Sequence, residues 1–256
     1  MSPKFSDRPR RIRRCAAAAA LLLTGLQPAS AVVGGSENSG PLARSSVMVL
    51  NSRGGVCSGV VVARDVVLTA AHCVAGQGEF RVHWRGEDGQ PVLVEPASRA
   101  LHPLYVSGAV AERRRSIDLA LLRMPGDLPG RFGPVALAGG APAKGEPVTL
   151  GGYGVAREGD ARSTGTFRTA GLAVVEPYGR STILLWASAG RGTGACEGDS
   201  GGPIANASGS VAAVTSWAAG ERKGGCGTMS QGVLLGPQRG WIDRTLTAWG
   251  RAAEWR

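Results

Sequence analysis

The apolar residues of this chain come in short runs, and each run is cut off by turn-forming residues. SSVMVLNS, SGVVVARDVVLTA, DLALLRM, PVTLGGYG, TILLWAS and VAAVTSW are examples. Runs of this length, rich in Val and Leu and bounded by Gly, Pro, Asn or Ser, suit the strands of an all-β sandwich or barrel and not βαβ units. Forty glycines and 15 prolines with no Gly-x-y period supply the turns that such a fold needs. One segment departs from the pattern. In QRGWIDRTLTAWG, residues 238–250, Ile242 and Leu246 stand four apart, as do Trp241 and Thr245, which predicts a terminal helix stopped at Gly250. At 256 residues the chain is one large domain or two small ones. The Pro-Gly pairs of MPGDLPGRFGP, residues 124–134, read as a linker between halves, and residues 86–90 and 157–165 as surface loops.

The first thirty-one residues read as an address. A basic stretch, MSPKFSDRPRRIRR, precedes the uncharged CAAAAALLLTGL and then QPASA, with Ala29 and Ala31 as the small residues of a cleavage site. That is the order of a secretory signal peptide. Twelve residues of helix reach about 18 Å, short of a bilayer core of about 30 Å. The paired arginines hint at twin-arginine export. The leader carries six basic residues against Asp7, so its removal takes half of the formal +10 and leaves 23 basic and 18 acidic residues. Cys15 leaves with it. The four cysteines that remain, Cys57, Cys73, Cys196 and Cys226, read as two disulfides of an exported protein, with three pairings open. The expected location is secreted or periplasmic, with no membrane contact after cleavage. Arg outnumbers Lys 26 to 3, a hint of a GC-rich genome and a bacterial source.

Three separated segments carry chemistry: LTAAHCV with His72, SIDLALLRM with Asp118, and CEGDSGGP with Ser200. A serine hydroxyl needs a base to take its proton, and imidazole suits that work near neutrality. A carboxylate fixes the imidazole's tautomer and stabilises its cation. Glycines around the serine let the backbone turn tightly and bring N–H groups to a developing oxyanion.

In this order the segments TAAHC, DLALL and GDSGGP resemble those of the trypsin-like (chymotrypsin-type) serine proteases, and the resemblance runs from Val32 to the terminal helix. It implies an all-β fold of two six-stranded Greek-key barrels, residues 32–130 and 131–256, with the site in the cleft between them. It implies that Ser200 is the nucleophile, His72 the general base and Asp118 the group that orients it, with the N–H groups of Gly198 and Ser200 as oxyanion hole. It pairs Cys57 with Cys73 and Cys196 with Cys226. Val32-Val33-Gly34-Gly35 matches the start of active members, whose free α-amine pairs with the aspartate before the nucleophile, here Asp199. Since Ala31 is the predicted signal-peptidase cut, export itself would release that amine.

The same resemblance places Gly194 at the base of the specificity pocket, with Ser216, Trp217, Ala218 and Gly232 as its walls. With no carboxylate among them, cleavage after Lys or Arg is not expected, since a buried cation needs a partner. Medium apolar residues such as Leu, Met or Ala are expected, unless Glu221 or Glu197 folds over the pocket mouth. Two departures are Tyr153, where the family usually has Trp, and a shortened stretch from Gly232 to Trp241. His83 and His102 read as structural, and Arg113, Arg114 and Arg115 as a solvated loop. No metal site or cofactor is expected. The expected partner is a polypeptide substrate, met by a monomer, and no basic stripe interleaved with aromatics points to nucleic acid. The competing class is a non-catalytic binding protein on the same fold.

Overall fold

The computed structural model describes Met1, residues 32–109, Glu112 and residues 114–256; the predicted leader, Met1 apart, lies outside the described residues. The short apolar runs form strands, as expected. A two-residue strand, β1 (Ser36–Glu37), and a single helical turn, α1 (Pro41–Arg44), lead into β2 (Ser46–Asn51), β3 (Val56–Ala63), β4 (Val66–Thr69), β5 (Phe80–Arg85), β6 (Pro91–Val94), β7 (Ser98–Leu101) and β8 (Ala120–Arg123). From β2 to β8 these make one antiparallel sheet in the order β6-β5-β2-β3-β4-β8-β7. β6 pairs with β5 and β7 with β8. Residues 91–101 therefore run from one edge of the sheet to the other, and as one bent strand they bring the ring to six.

The second half contributes β9 (Pro147–Gly152), β10 (Arg168–Val175), β11 (Leu184–Ser188), β12 (Pro203–Ala205), β13 (Val211–Ala219) and β14 (Met229–Leu234). Because β9 pairs with both β12 and β10, these six strands close on themselves, and β1 is added at the start of β10. The architecture is thus two barrel-like antiparallel sheets, each extended beyond six strands only by a short or bent piece. Residues 124–134 contain no strand or helix and lie in the stretch between β8 and β9, with Met124 and Leu128 buried in the first sheet's core.

Burial explains why β3, β4 and β8 read as continuous apolar runs. Successive side chains point to opposite faces of a strand. Val61, Val67, Ala120 and Leu122 fill the first barrel, while Val60, Val62, Leu68 and Leu121 pack with Val211, Val214, Val233 and Leu235 of the second. With both faces buried, alternation disappears from the sequence. The terminal helix, α2 (Arg239–Ala248), lays Ile242 and Leu246, both fully buried, into that same shared core. No helix among the described residues is long and apolar enough to cross a membrane.

The tail beyond α2 returns to the first barrel. The Arg251 guanidinium donates from Nε and Nη2 to the two carboxylate oxygens of Asp65, at 2.6 and 2.9 Å. Asp65 is almost wholly buried, and Arg123 lies 3.8 Å away. A bidentate charged pair with one buried partner is geometrically exacting. Asp65→Asn, which keeps the shape but not the charge, is expected to cost about 2 kcal/mol of stability. A lowered urea midpoint at unchanged slope, together with tail amides that exchange faster, is the measurement that checks it.

Candidate active site

The register of the first barrel builds the first half of the site. β4 pairs with β8 so that Thr69 faces Ala120. Residues just after β4 therefore meet residues just before β8, and His72, on a single 3-10 turn (Ala71–Cys73), meets Asp118. The backbone N–H of His72 donates to Asp118 Oδ1 at 2.8 Å, and His72 Nδ1 lies 2.6 Å from Oδ2. The Ser216 hydroxyl also donates to Oδ2. Burial pushes the Asp118 carboxyl up, but the His72 ring, the Ser216 hydroxyl and the His72 backbone N–H outweigh it and hold the group below its ordinary value. With Nδ1 engaged by a carboxylate, that nitrogen carries the proton and Nε2 is left as the base. Ser216, expected as a pocket wall, also reaches Asp118, from a strand of the other barrel.

The serine loop lies between β11 and β12 and is stitched to both barrels. Ser58 of β3 donates its N–H to the Ser200 carbonyl at 2.7 Å and its hydroxyl to the Gly198 carbonyl at 2.9 Å. Gly201 donates its N–H to the Thr215 carbonyl at 2.7 Å. The disulfides Cys57–Cys73 and Cys196–Cys226 are formed, one beside His72 and the other at the start of this loop. His72 and Asp118 are thus directly joined, whereas the Ser200 hydroxyl makes no hydrogen bond to His72 in this structure. Such bonds are commonly long in free enzymes and tighten on substrate binding. Among the described residues one cluster has metal-ligand types, Cys57, His72 and Cys73, but both sulfurs are bonded to each other.

Next to the serine, Gly198 has φ +94°, and a Cβ there would stand 2.7 Å from the Gly154 Cα. Asp199 is fully buried and accepts from the backbone N–H groups of Gly154 and Cys196, both at 2.9 Å. Burial pushes its pKa up to about 7, against those two N–H groups and the positive charge of Arg168. A value raised above the unfolded one means that the folded state holds the proton more tightly. The stability linked to Asp199 is therefore full below its ordinary carboxylate range and lost as pH rises through about 7. Val32 is completely buried, and the Val33 carbonyl accepts from the Gly194 N–H at 3.0 Å.

Ser230 joins the residues around Gly194. A Cβ on Gly194 would stand 3.0 Å from Ser230 Oγ, and Ser230 faces Ala218 across β13 and β14. Gly232 lies two residues further on the same face of β14, where a Cβ would meet Ile204 and Ala213. Ser230 is fully buried, and its Oγ accepts the Ala195 N–H at 2.9 Å. Glu221 does not stand free over this region; it pairs with Arg191 at 3.0 Å, both groups being exposed. Tyr153 donates its N–H to Ser58 Oγ and its hydroxyl to the Ser46 carbonyl, and its ring packs edge-on against Phe167. His83 contacts the Val92 carbonyl, and buried His102 packs edge-on against Trp241, both away from this constellation.

A β-barrel pair with a carboxylate–imidazole couple in one half and a Gly-rich serine loop in the other defines a class of hydrolase folds. The family model for trypsin matches residues 32–234. The chain belongs to the trypsin family of serine proteases. It is 27% identical over 173 residues to human kallikrein-8, a match that covers 63% of this chain and 66% of that protein, a little under two thirds. It is 31% identical over 215 residues to rat chymotrypsin-like elastase family member 1, covering 73% of this chain and 78% of the relative. The solved structure of neuropsin, a serine protease expressed in the limbic system of mouse brain, superposes with a TM-score of 0.68 at 23% identity, over 82% of this chain and 98% of that one. These relatives are animal proteins and lend no support to a bacterial source.

Proposed function

We propose that the chain is a serine endopeptidase that cuts polypeptides through Ser200, His72 and Asp118. The observation that carries this reading is the buried Asp118 carboxylate, held by Ser216 and by both the ring and the backbone of His72. His72 Nε2 takes the Ser200 proton as Oγ attacks the scissile carbonyl. The imidazolium then protonates the leaving amine, and a water completes the cycle through the same base. The N–H groups of Gly198 and Ser200 receive the charge that develops on the carbonyl oxygen. Asp199, tied to Gly154 and Cys196, holds that loop, and the α-amine of Val32 is its counter-charge once the leader is gone. The family match beginning at Val32 supports a leader of residues 1–31 ahead of an exported enzyme, which we divide into barrels over 32–130 and 131–256. We read the exported form as a secreted or periplasmic monomer.

The residues beside Gly194 support an apolar preference. Ala218 contributes a methyl and Ser230 a hydroxyl, and neither supplies a negative charge. A substrate Arg would lose its hydration without gaining a partner. On peptides that vary only the residue before the cut, kcat/KM is expected to be highest for Leu, Met or Ala and at least about 100-fold lower for Arg. A preference for Arg would show that Glu221 leaves Arg191 and reaches the pocket.

A further inference from the structure

Arg168 is a buried cation with unmet hydrogen bonds beside the carboxylate on which this site depends. It opens β10, whose other inward positions, Ala170, Leu172 and Val174, are apolar. Its backbone faces Glu37 on β1 and Gly152 on β9. Residues directly opposite in a sheet share a face and stand side by side. Gly152 has no side chain, and a Cβ there would lie 2.2 Å from Asp199 Oδ1. The space next to Arg168 on that face is thus occupied by the Asp199 carboxylate. Arg168 itself is 6% exposed, and its Nη2 donates to Glu37 at 3.0 Å while Nε and Nη1 are buried without a partner. Glu37 is largely exposed, so it screens this charge poorly. Leaving buried guanidinium N–H groups unpaired is costly, and a carboxylate on the same face is the natural acceptor.

We propose that Arg168 is a positioning residue for Asp199, acting as its cation in chains that still carry residues before Val32. In such chains the Val32 nitrogen is an amide and brings no charge. A swing of the Arg168 guanidinium from Glu37 toward Asp199 keeps the carboxylate ionised and the loop at Gly198 in place. The leader-bearing chain is therefore partly active, and release of Val32 raises activity instead of switching it on. This rests on the peptidase reading above and on the pairing of Val32 with Asp199.

The test compares the chain that begins at Val32, its N-terminus verified by mass, with a chain that keeps an uncleavable extension ahead of Val32. Each is made with Arg168 and with Arg168→Gln. The extended wild-type chain is expected to hydrolyse its peptide substrate measurably. Arg168→Gln should lower kcat/KM of the extended chain by at least about tenfold, the change that about 1.4 kcal/mol makes, and that of the Val32 chain by less than about threefold. Arg168→Lys should restore part of the loss, which a purely structural role would not. Glu37→Gln, which frees the guanidinium from its surface partner, should raise the extended chain's activity, and it reports even where Arg168→Gln does not fold. An inactive extended chain with Arg168 in place, or equal losses in both forms, would overturn the proposal. An inactive Val32 chain would instead overturn the peptidase reading, so the two failures are distinct.

Discussion

Ser200→Ala is expected to lower peptide hydrolysis by at least about 10⁴-fold and to abolish covalent labelling by an organophosphate, with folding intact. The first effect follows from chemistry: without a hydroxyl there is nothing for His72 to deprotonate and no acyl-enzyme. The second part of the expectation comes from how the fold uses this residue. Ser200 is tied into the barrels by its backbone, through the N–H of Ser58 to its carbonyl, and not by its hydroxyl. Alanine keeps that bond. The variant should unfold at the same denaturant concentration as the parent and still bind peptides that fill the pocket. Labelled and unlabelled enzyme separated by mass, with a full kinetic profile, provides the measurement. Substantial hydrolysis by the alanine variant would mean that the nucleophile is another residue, and the proposed mechanism would be wrong at its first step.

What could be read from the sequence divides along a physical line. The strands and the terminal helix follow from local patterns, since Ile242 and Leu246 lie on one helical face wherever the helix docks. His72, Asp118 and Ser200 stand in short segments whose residues match a known family position by position. The hold of Ser216 on Asp118 depends instead on a contact between residues 98 apart in sequence. That Ser230 stands beside Gly194 depends likewise on a contact between segments far apart in sequence, which no local pattern encodes. Nothing in the sequence sets Arg168 apart from the other arginines of the chain. Its burial and its place opposite Gly152 follow from cross-strand pairing, and no local pattern encodes that.

The glycine before Asp199 carries the other large expectation. Gly198→Ala should lower kcat by about 10²–10³-fold while KM changes little, because the N–H at this position acts on the charge of the transition state and not on the ground-state carbonyl. Two features make the substitution severe. Its φ of +94° lies in a region that a side chain rarely tolerates, and the new Cβ would stand 2.7 Å from the Gly154 Cα. Gly154 cannot easily yield, because its own N–H is spent on Asp199 Oδ1 at 2.9 Å. The loop must therefore rotate at residue 198, which turns the N–H away from the place where the oxyanion forms. The triad is untouched, so labelling of Ser200 should be slowed but not lost. Affinity for a boronate or aldehyde that mimics the tetrahedral state should fall in step with kcat/KM. A rise in KM at unchanged kcat would place Gly198 in substrate binding and remove it from the oxyanion hole.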